Sequence, residues 1–138
     1  MKLLDTNVFI YAQGGPHPYR EPCRAVLAAA GPETYGVDVE TLQEILDVYT
    51  RREQRRVALL TVTDALAAFP DPFPITRREI EEAAGIVAAH ERLSPRDAIH
   101  AAVVLTYDLE GIVSTDRAFD GVPGLVRFDP AELSREGG

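Results

Sequence analysis

Four acids stand in settings that fix where they can point. Asp5 closes the apolar run Lys2-Leu3-Leu4 and is followed by Thr6-Asn7. Glu44 sits inside Val39-Glu40-Thr41-Leu42-Gln43-Glu44-Ile45-Leu46. Asp97 opens a helical pattern at Ser94-Pro95-Arg96-Asp97-Ala98-Ile99-His100-Ala101-Ala102, and Asp116 follows the apolar run of Gly111-Ile112-Val113-Ser114-Thr115. Gathered in one cleft, four carboxylates raise one another's pKa and do not all stay ionised without a cation. A hard divalent ion with a preference for oxygen resolves that conflict.

The elements that must carry these acids follow from pattern. Lys2 to Asp5 reads as a short buried strand, and Val8 to Ala12 as a short helix ended by the Gly14-Gly15-Pro16-His17-Pro18 loop. A helix spans Arg20 to Ala30 and stops at Gly31-Pro32. Thr34 to Val37 is a second strand, and Asp38 caps a helix over Val39 to Arg51 with Leu42, Ile45, Leu46 and Tyr49 as its apolar stripe. A helix covers Gln54 to Ala68, and the prolines between Phe69 and Pro74 force an extended passage. The capping-box pattern Thr76-Arg77-Arg78-Glu79 starts a helix to about Arg92, and Pro95 opens another to about Leu109. Gly111 to Ser114 and Leu125 to Phe128 are the third and fourth strands. Strands alternating with helices imply a single α/β domain over residues 1–138, a three-layer α/β/α sandwich around a mostly parallel sheet.

In such a sheet a ligand sits beyond the carboxyl ends of the strands. Asp5 and Asp116 belong there, and Asp97 lies in a first helical turn, where the backbone dipole favours negative charge. Ordinary roles compete. Asp97 completes a cap with Ser94, Asp116 suits a turn, and Glu44 points away from its helix stripe as a solvated acid would. Asp5 has little turn chemistry to justify it. Asp120-Gly121 reads as a plain turn, which leaves Asp120 in an outer shell. His100, three residues after Asp97, reads as a hydrogen-bonded structural histidine. Arg51, Arg52, Arg55 and Arg56 form a cluster that can hold an RNA backbone or simply complement a helix C-terminus.

The bulk numbers bound the class. The chain has 138 residues, 46% hydrophobic and 26% charged, as an ordinary globular protein does. No apolar stretch is long enough for a bilayer, and no secretory core opens the chain, so a cytoplasmic protein is expected. Cys23 is the single cysteine, which removes disulfides and cysteine-based zinc sites. A net charge of −8 argues against a nucleic-acid partner at face value, but the four acids supply half of it and the arginines are bunched elsewhere.

Leu4-Asp5-Thr6-Asn7, Glu44 before Ile45-Leu46, Asp97-Ala98-Ile99-His100-Ala101-Ala102 and Ser114-Thr115-Asp116-Arg117-Ala118-Phe119 together resemble the PIN-domain nucleases, and within them the small VapC-type toxins of bacterial toxin–antitoxin pairs. The resemblance covers nearly the whole chain. It implies an endoribonuclease dependent on Mg²⁺ or Mn²⁺, usually dimeric, and held inactive by a cognate antitoxin. It makes Asp5, Glu44, Asp97 and Asp116 the acidic metal-binding quartet, with Asn7 and Ser114 as supporting polar residues, and implies products ending in 5′-phosphate and 3′-hydroxyl. Apolar residues beyond one stripe between Val39 and Ala68, including Val57, Leu59, Leu60 and Val62, suit a dimer or antitoxin contact.

Besides a plain α/β interaction module, which ranks last, two rival functions remain at this level. An aspartyl-phosphate phosphotransferase or phosphatase also places an acid after its first strand, but it wants a lysine on a later strand end, and Lys2 is the only lysine. A PIN-like module that binds RNA or protein without cutting is the other, and the intact quartet speaks against it.

Overall fold

Lys2–Leu4 form β1, the strand on which the rest of the molecule is hung. The computed structural model describes residues 1–136, so the last two residues of the expected 1–138 domain lie outside the described range. After β1 come α1 (Thr6–Gln13), α2 (Arg20–Ala29), β2 (Tyr35–Gly36), α3 (Val39–Arg51), α4 (Arg55–Ala68), α5 (Arg77–Ala89) and α6 (Pro95–Thr106). The chain then forms β3 (Gly111–Val113), a 3₁₀ turn over Arg117–Gly121, β4 (Arg127–Phe128) and α7 (Pro130–Glu136).

Among the described residues the sheet has four strands in the order β2-β1-β3-β4, every neighbouring pair parallel. From β1 the chain moves outward to β2, then returns across β1 to β3. The point where the order reverses therefore lies between the ends of β1 and β3.

Register sorts the core into two halves. Leu3 pairs with Ile112 and Leu4 with Val113. Successive strand residues face opposite sides. Leu3 and Ile112 accordingly pack with Ala83, Ile86, Ala101 and Phe119 under α5 and α6. Leu4 and Val113 pack with Val8, Phe9, Cys23, Ile45 and Ala58 under α1 to α4. This is the expected three-layer sandwich. Each fully buried aliphatic side chain in these layers contributes roughly 1.5–3 kcal/mol. Gly111 shows how close the strands run, because a Cβ there would lie 2.2 Å from the Val126 carbonyl oxygen.

The helices start where side chains satisfy their first N–H groups. Asp5, Asp38 and Ser94 accept from Thr6, Thr41 and Asp97 N–H, respectively. Glu79, almost fully buried, reaches back to the Thr76 N–H at 3.4 Å and its hydroxyl at 2.9 Å. The extended passage before α5 runs beside β2, with Phe73 N–H donating to Val37 O at 2.9 Å. Two features differ from the sequence reading. Helix α7 was not expected, and the segment around Asp120 is a full 3₁₀ turn rather than a simple turn. No helix of the described residues is long and apolar enough to cross a membrane.

Candidate active site

Asp5 leaves β1 and immediately caps α1, which pins its carboxylate at both oxygens. The Thr6 N–H donates to Oδ1 at 2.7 Å, and the Ser114 hydroxyl donates to Oδ2 at 2.6 Å. Ser114 Oγ in turn accepts from Asn7 Nδ2 at 3.1 Å and from the Asp116 N–H at 3.0 Å. One hydroxyl thus ties the end of β1, the start of α1 and the end of β3 together. Asp5 is 4% exposed. Burial pushes its carboxyl above the usual carboxylate range, against the opposing pull of His100 and Ser114.

Asp97 sits in the first turn of α6, its N–H donating to Ser94 Oγ at 3.1 Å. The cap role expected for this segment falls to Ser94, and the Asp97 carboxylate lines the cleft. Burial, and after it the charge of Asp5, pushes its pKa up to about 7. Glu44, one to two turns into α3, meets His100 instead, with Oε1 2.8 Å from Nε2. The other ring nitrogen, Nδ1, lies 2.6 Å from Asp38 Oδ2. Both His100 nitrogens therefore face carboxylate acceptors, an arrangement satisfied by the doubly protonated ring. Burial alone would lower the His100 pKa, but the charge of Asp38 and the bonds to Asp38 and Glu44 outweigh it and hold it well above the ordinary value. Asp38 does two jobs at once, since its Oδ1 accepts from Thr41 N–H at 2.9 Å. One turn before His100, Arg96 reaches Asp47 at 3.0 Å and Glu40 at 3.8 Å, so α6 is tied to α3 along its length.

Asp5, Glu44, Asp97 and Asp116 all line one open cleft of about 360 Å³, together with Thr6, Asn7, Ile10, Tyr11, Val48 and Arg52. Asp5, Asp97 and His100 bring one ligand-type atom each to within 4.8 Å of one another. His100 Nε2 is already engaged by Glu44. The carboxylates are therefore the donors open to a hard cation. Asn7 Oδ1 is buried with no hydrogen-bond partner among the described residues, a spare oxygen at the same cleft. Burial-raised acids and an orphaned oxygen are what a site for an oxygen-seeking cation shows when considered as protein alone. Asp116 Oδ1 accepts from the Ala118 N–H at 2.9 Å and starts the 3₁₀ turn.

The remaining candidates separate. Asp120 turns to Arg127, with Oδ1 2.8 Å from Nε, and is not among the residues lining the cleft. Of the arginine cluster, Arg52 lines the cleft, whereas Arg51 pairs with Asp47 at 2.9 Å and Arg55 and Arg56 are exposed at the start of α4. The α3 stripe also shifts by a step. Thr41, Ile45 and Tyr49 are buried, while Leu46 is 37% exposed. Glu44 borders that true stripe, which is why it reaches the cleft. The sequence reading gave Asp38 only its cap and did not pair it with His100. The signal available was the position of His100, one turn beyond Asp97 on the same helix.

The PIN domain family model matches residues 2–125. The chain is 36% identical over 131 residues to ribonuclease VapC13 of Mycobacterium tuberculosis, covering 93% of this chain and 99% of that one. Among solved structures, the VapC20 toxin of M. tuberculosis, described as cleaving the sarcin–ricin loop, superposes with a TM-score of 0.77 at 18% identity, over 91% of this chain and 97% of that chain. A toxin–antitoxin complex from Klebsiella pneumoniae gives a TM-score of 0.69 at 21% identity, over 94% of this chain and 98% of that chain. These two structures share the fold.

Proposed function

The chain belongs to the PIN-domain family, in its VapC ribonuclease branch, and from that premise we propose that it is a metal-dependent endoribonuclease acting as the toxin of a toxin–antitoxin pair. The observation that carries the proposal is the convergence of Asp5, Glu44, Asp97 and Asp116 on one cleft at the switch point of the sheet. Asp5, Asp97 and Asp116, with Glu44, would hold Mg²⁺ or Mn²⁺. When bound, such an ion lowers the pKa of a water and neutralises charge on the phosphoryl oxygens.

The chain's own residues do the rest. Ser114 and Thr6 lock the Asp5 carboxylate, so it needs no reorganisation on loading. Asp38 and His100 hold Glu44 at the α3 side of the cleft. Arg52, on the same wall, offers a guanidinium to the RNA phosphate. We read residues 1–138 as one PIN domain that acts in the cytoplasm, where its substrate is. A homodimer and an antitoxin contact are supported by the exposed apolar residues of α4, where Leu59 is 63% and Leu60 54% exposed.

The test is cleavage of structured RNA with Mg²⁺, with Mn²⁺ and with EDTA, followed by analysis of the ends. Cleavage that needs the ion and leaves 5′-phosphate and 3′-hydroxyl is expected. Cleavage that survives EDTA would overturn the metal assignment, and absence of cleavage with either ion would overturn the activity.

A further inference from the structure

Three aromatic rings stand together on the α1 side of the cleft. Tyr11 lines the cleft itself, one helical turn beyond Asn7. Its ring centroid is 4.5 Å from that of His17 and 5.6 Å from that of Tyr19. His17 and Tyr19 are close to parallel, 16° apart in plane with centroids at 6.0 Å.

The group is held from several sides. The Tyr19 N–H donates to His17 Nδ1 at 3.1 Å, which fixes the imidazole in its loop. Pro16 and Pro18 flank His17 and restrict the backbone there. The Tyr19 hydroxyl donates to Asp129 Oδ2 at 2.9 Å. Asp129 is anchored by the Ala131 N–H at 2.8 Å and by Arg127 at 3.5 Å. Yet His17 is exposed, and Tyr11 and Tyr19 are only half-buried. Core packing accounts for the two tyrosines but gives no reason to hold an exposed imidazole rigidly against them. A flat ligand that stacks does give one.

Resting on the ribonuclease reading above, we propose that Tyr11, His17 and Tyr19 form a stacking platform for an unpaired nucleobase of the RNA, beside the phosphate drawn to the acids. Two features of the site point to a base. The platform is continuous with the cleft through Tyr11, one turn or about 6 Å along α1 from Asn7. The same cleft carries Arg52, a guanidinium suited to the backbone next to that base. Every base offers a π face, so such a platform tolerates sequence but requires a base free of its duplex. The nuclease would then select unpaired nucleotides at the cut through α1 and its following loop.

The experiment uses short single-stranded RNAs carrying 2-aminopurine at one scanned position, bound in Mg²⁺ to the Asp97→Asn protein so that cleavage does not intrude. Fluorescence should be quenched at one position near the scissile bond. Adding Tyr11→Ala should abolish that quench and weaken binding about 10-fold, the scale of one lost base–aromatic stack. Tyr11→Phe should keep both. An abasic residue at the quenched position should weaken binding about 10-fold with Tyr11 present and have no further effect with Tyr11→Ala. His17→Ala, in an exposed loop, supplies a second variant that leaves the core untouched and should also reduce the quench. Tight RNA binding that is indifferent to Tyr11, to His17 and to the abasic position overturns the platform alone. Failure to bind RNA at all overturns the ribonuclease reading and the platform with it.

Discussion

His100 Nδ1 lies 2.6 Å from Asp38 Oδ2 with both side chains wholly buried, and the far side of the same ring touches Glu44 at 2.8 Å. The ring is thus a cation built into the acidic end of the molecule, and its placement depends on an acid that does not line the cleft. Asp38→Asn keeps an oxygen to cap α3 but leaves the imidazolium short of a counter-charge. Removing one partner of a buried pair costs about 3–5 kcal/mol. We expect a loss of about 3 kcal/mol by urea denaturation, together with weaker Mn²⁺ binding by calorimetry as Glu44 loses its anchor. Unchanged stability and ion affinity would show that His100 does not hold Glu44.

Asp97→Asn separates a cap from a ligand. The cap belongs to Ser94, so Ser94→Ala should cost about 1 kcal/mol and leave most of the cleavage rate. Asp97→Asn should lower cleavage by two or more orders of magnitude while the metal-free melting temperature holds or rises. Full activity in Asp97→Asn would remove this residue from the chemistry.

The pH dependence of the metal-free protein has a definite sign. Asp97, raised to about 7, binds its proton more tightly folded than unfolded. Stability therefore falls as pH rises from about 4 through 7. His100, raised well above its ordinary value, acts in the same direction, its contribution present below the unfolded value near 6.5 and lost as pH passes the folded one. Calorimetric scans should show a lower melting temperature at pH 8 than at pH 5.5, worth roughly 1–2 kcal/mol from Asp97 once its partial exposure is allowed for. Millimolar Mg²⁺ should close the gap at pH 8. A flat profile without metal would contradict this account.

Arg52 and Arg51 are neighbours in sequence with different surroundings. Arg52→Ala should raise KM several-fold and flatten its salt dependence by about one phosphate contact. Arg51→Ala, which removes a surface pair with Asp47, should have the smaller effect. Equal effects would mean that the cluster acts as diffuse charge.

The exposed face of α4 is tested by association. Leu59→Glu with Leu60→Glu should shift sedimentation towards the monomer or abolish protection by a candidate antitoxin, with little loss of stability because both residues are more than half exposed. An unchanged oligomer that still responds to antitoxin would place both contacts elsewhere.

The layers were legible from the alternation of strands and helices, whereas the gathering of the acids was legible only through the resemblance of their four short segments to the PIN-domain nucleases, with Asp5 after an unbroken apolar strand the one acid whose setting stood out by itself. Glu44 was not legible from periodicity. Counting only apolar residues puts Leu46 in the α3 stripe, whereas Thr41 takes that place by packing its hydroxyl 3.3 Å from that of Thr6. Asp38 was half-legible: its cap is local, but its second oxygen meets His100 across 62 residues of sequence. Helix α7 was missed because its seven residues carry only one large apolar side chain, Leu133, and it owes its place to docking on the core.

The burial of Cys23 in the layer under α1 to α4 makes the chain's one thiol a reporter. Burial first, and Asp129 second, push its pKa up to about 12, so almost no thiolate exists at neutral pH. Alkylating reagents should ignore it while that layer is closed. Each labelling event then records an opening of α2 away from the sheet. Mass spectrometry of the modified fraction over time would give the opening free energy of that half of the molecule, with no engineered probe.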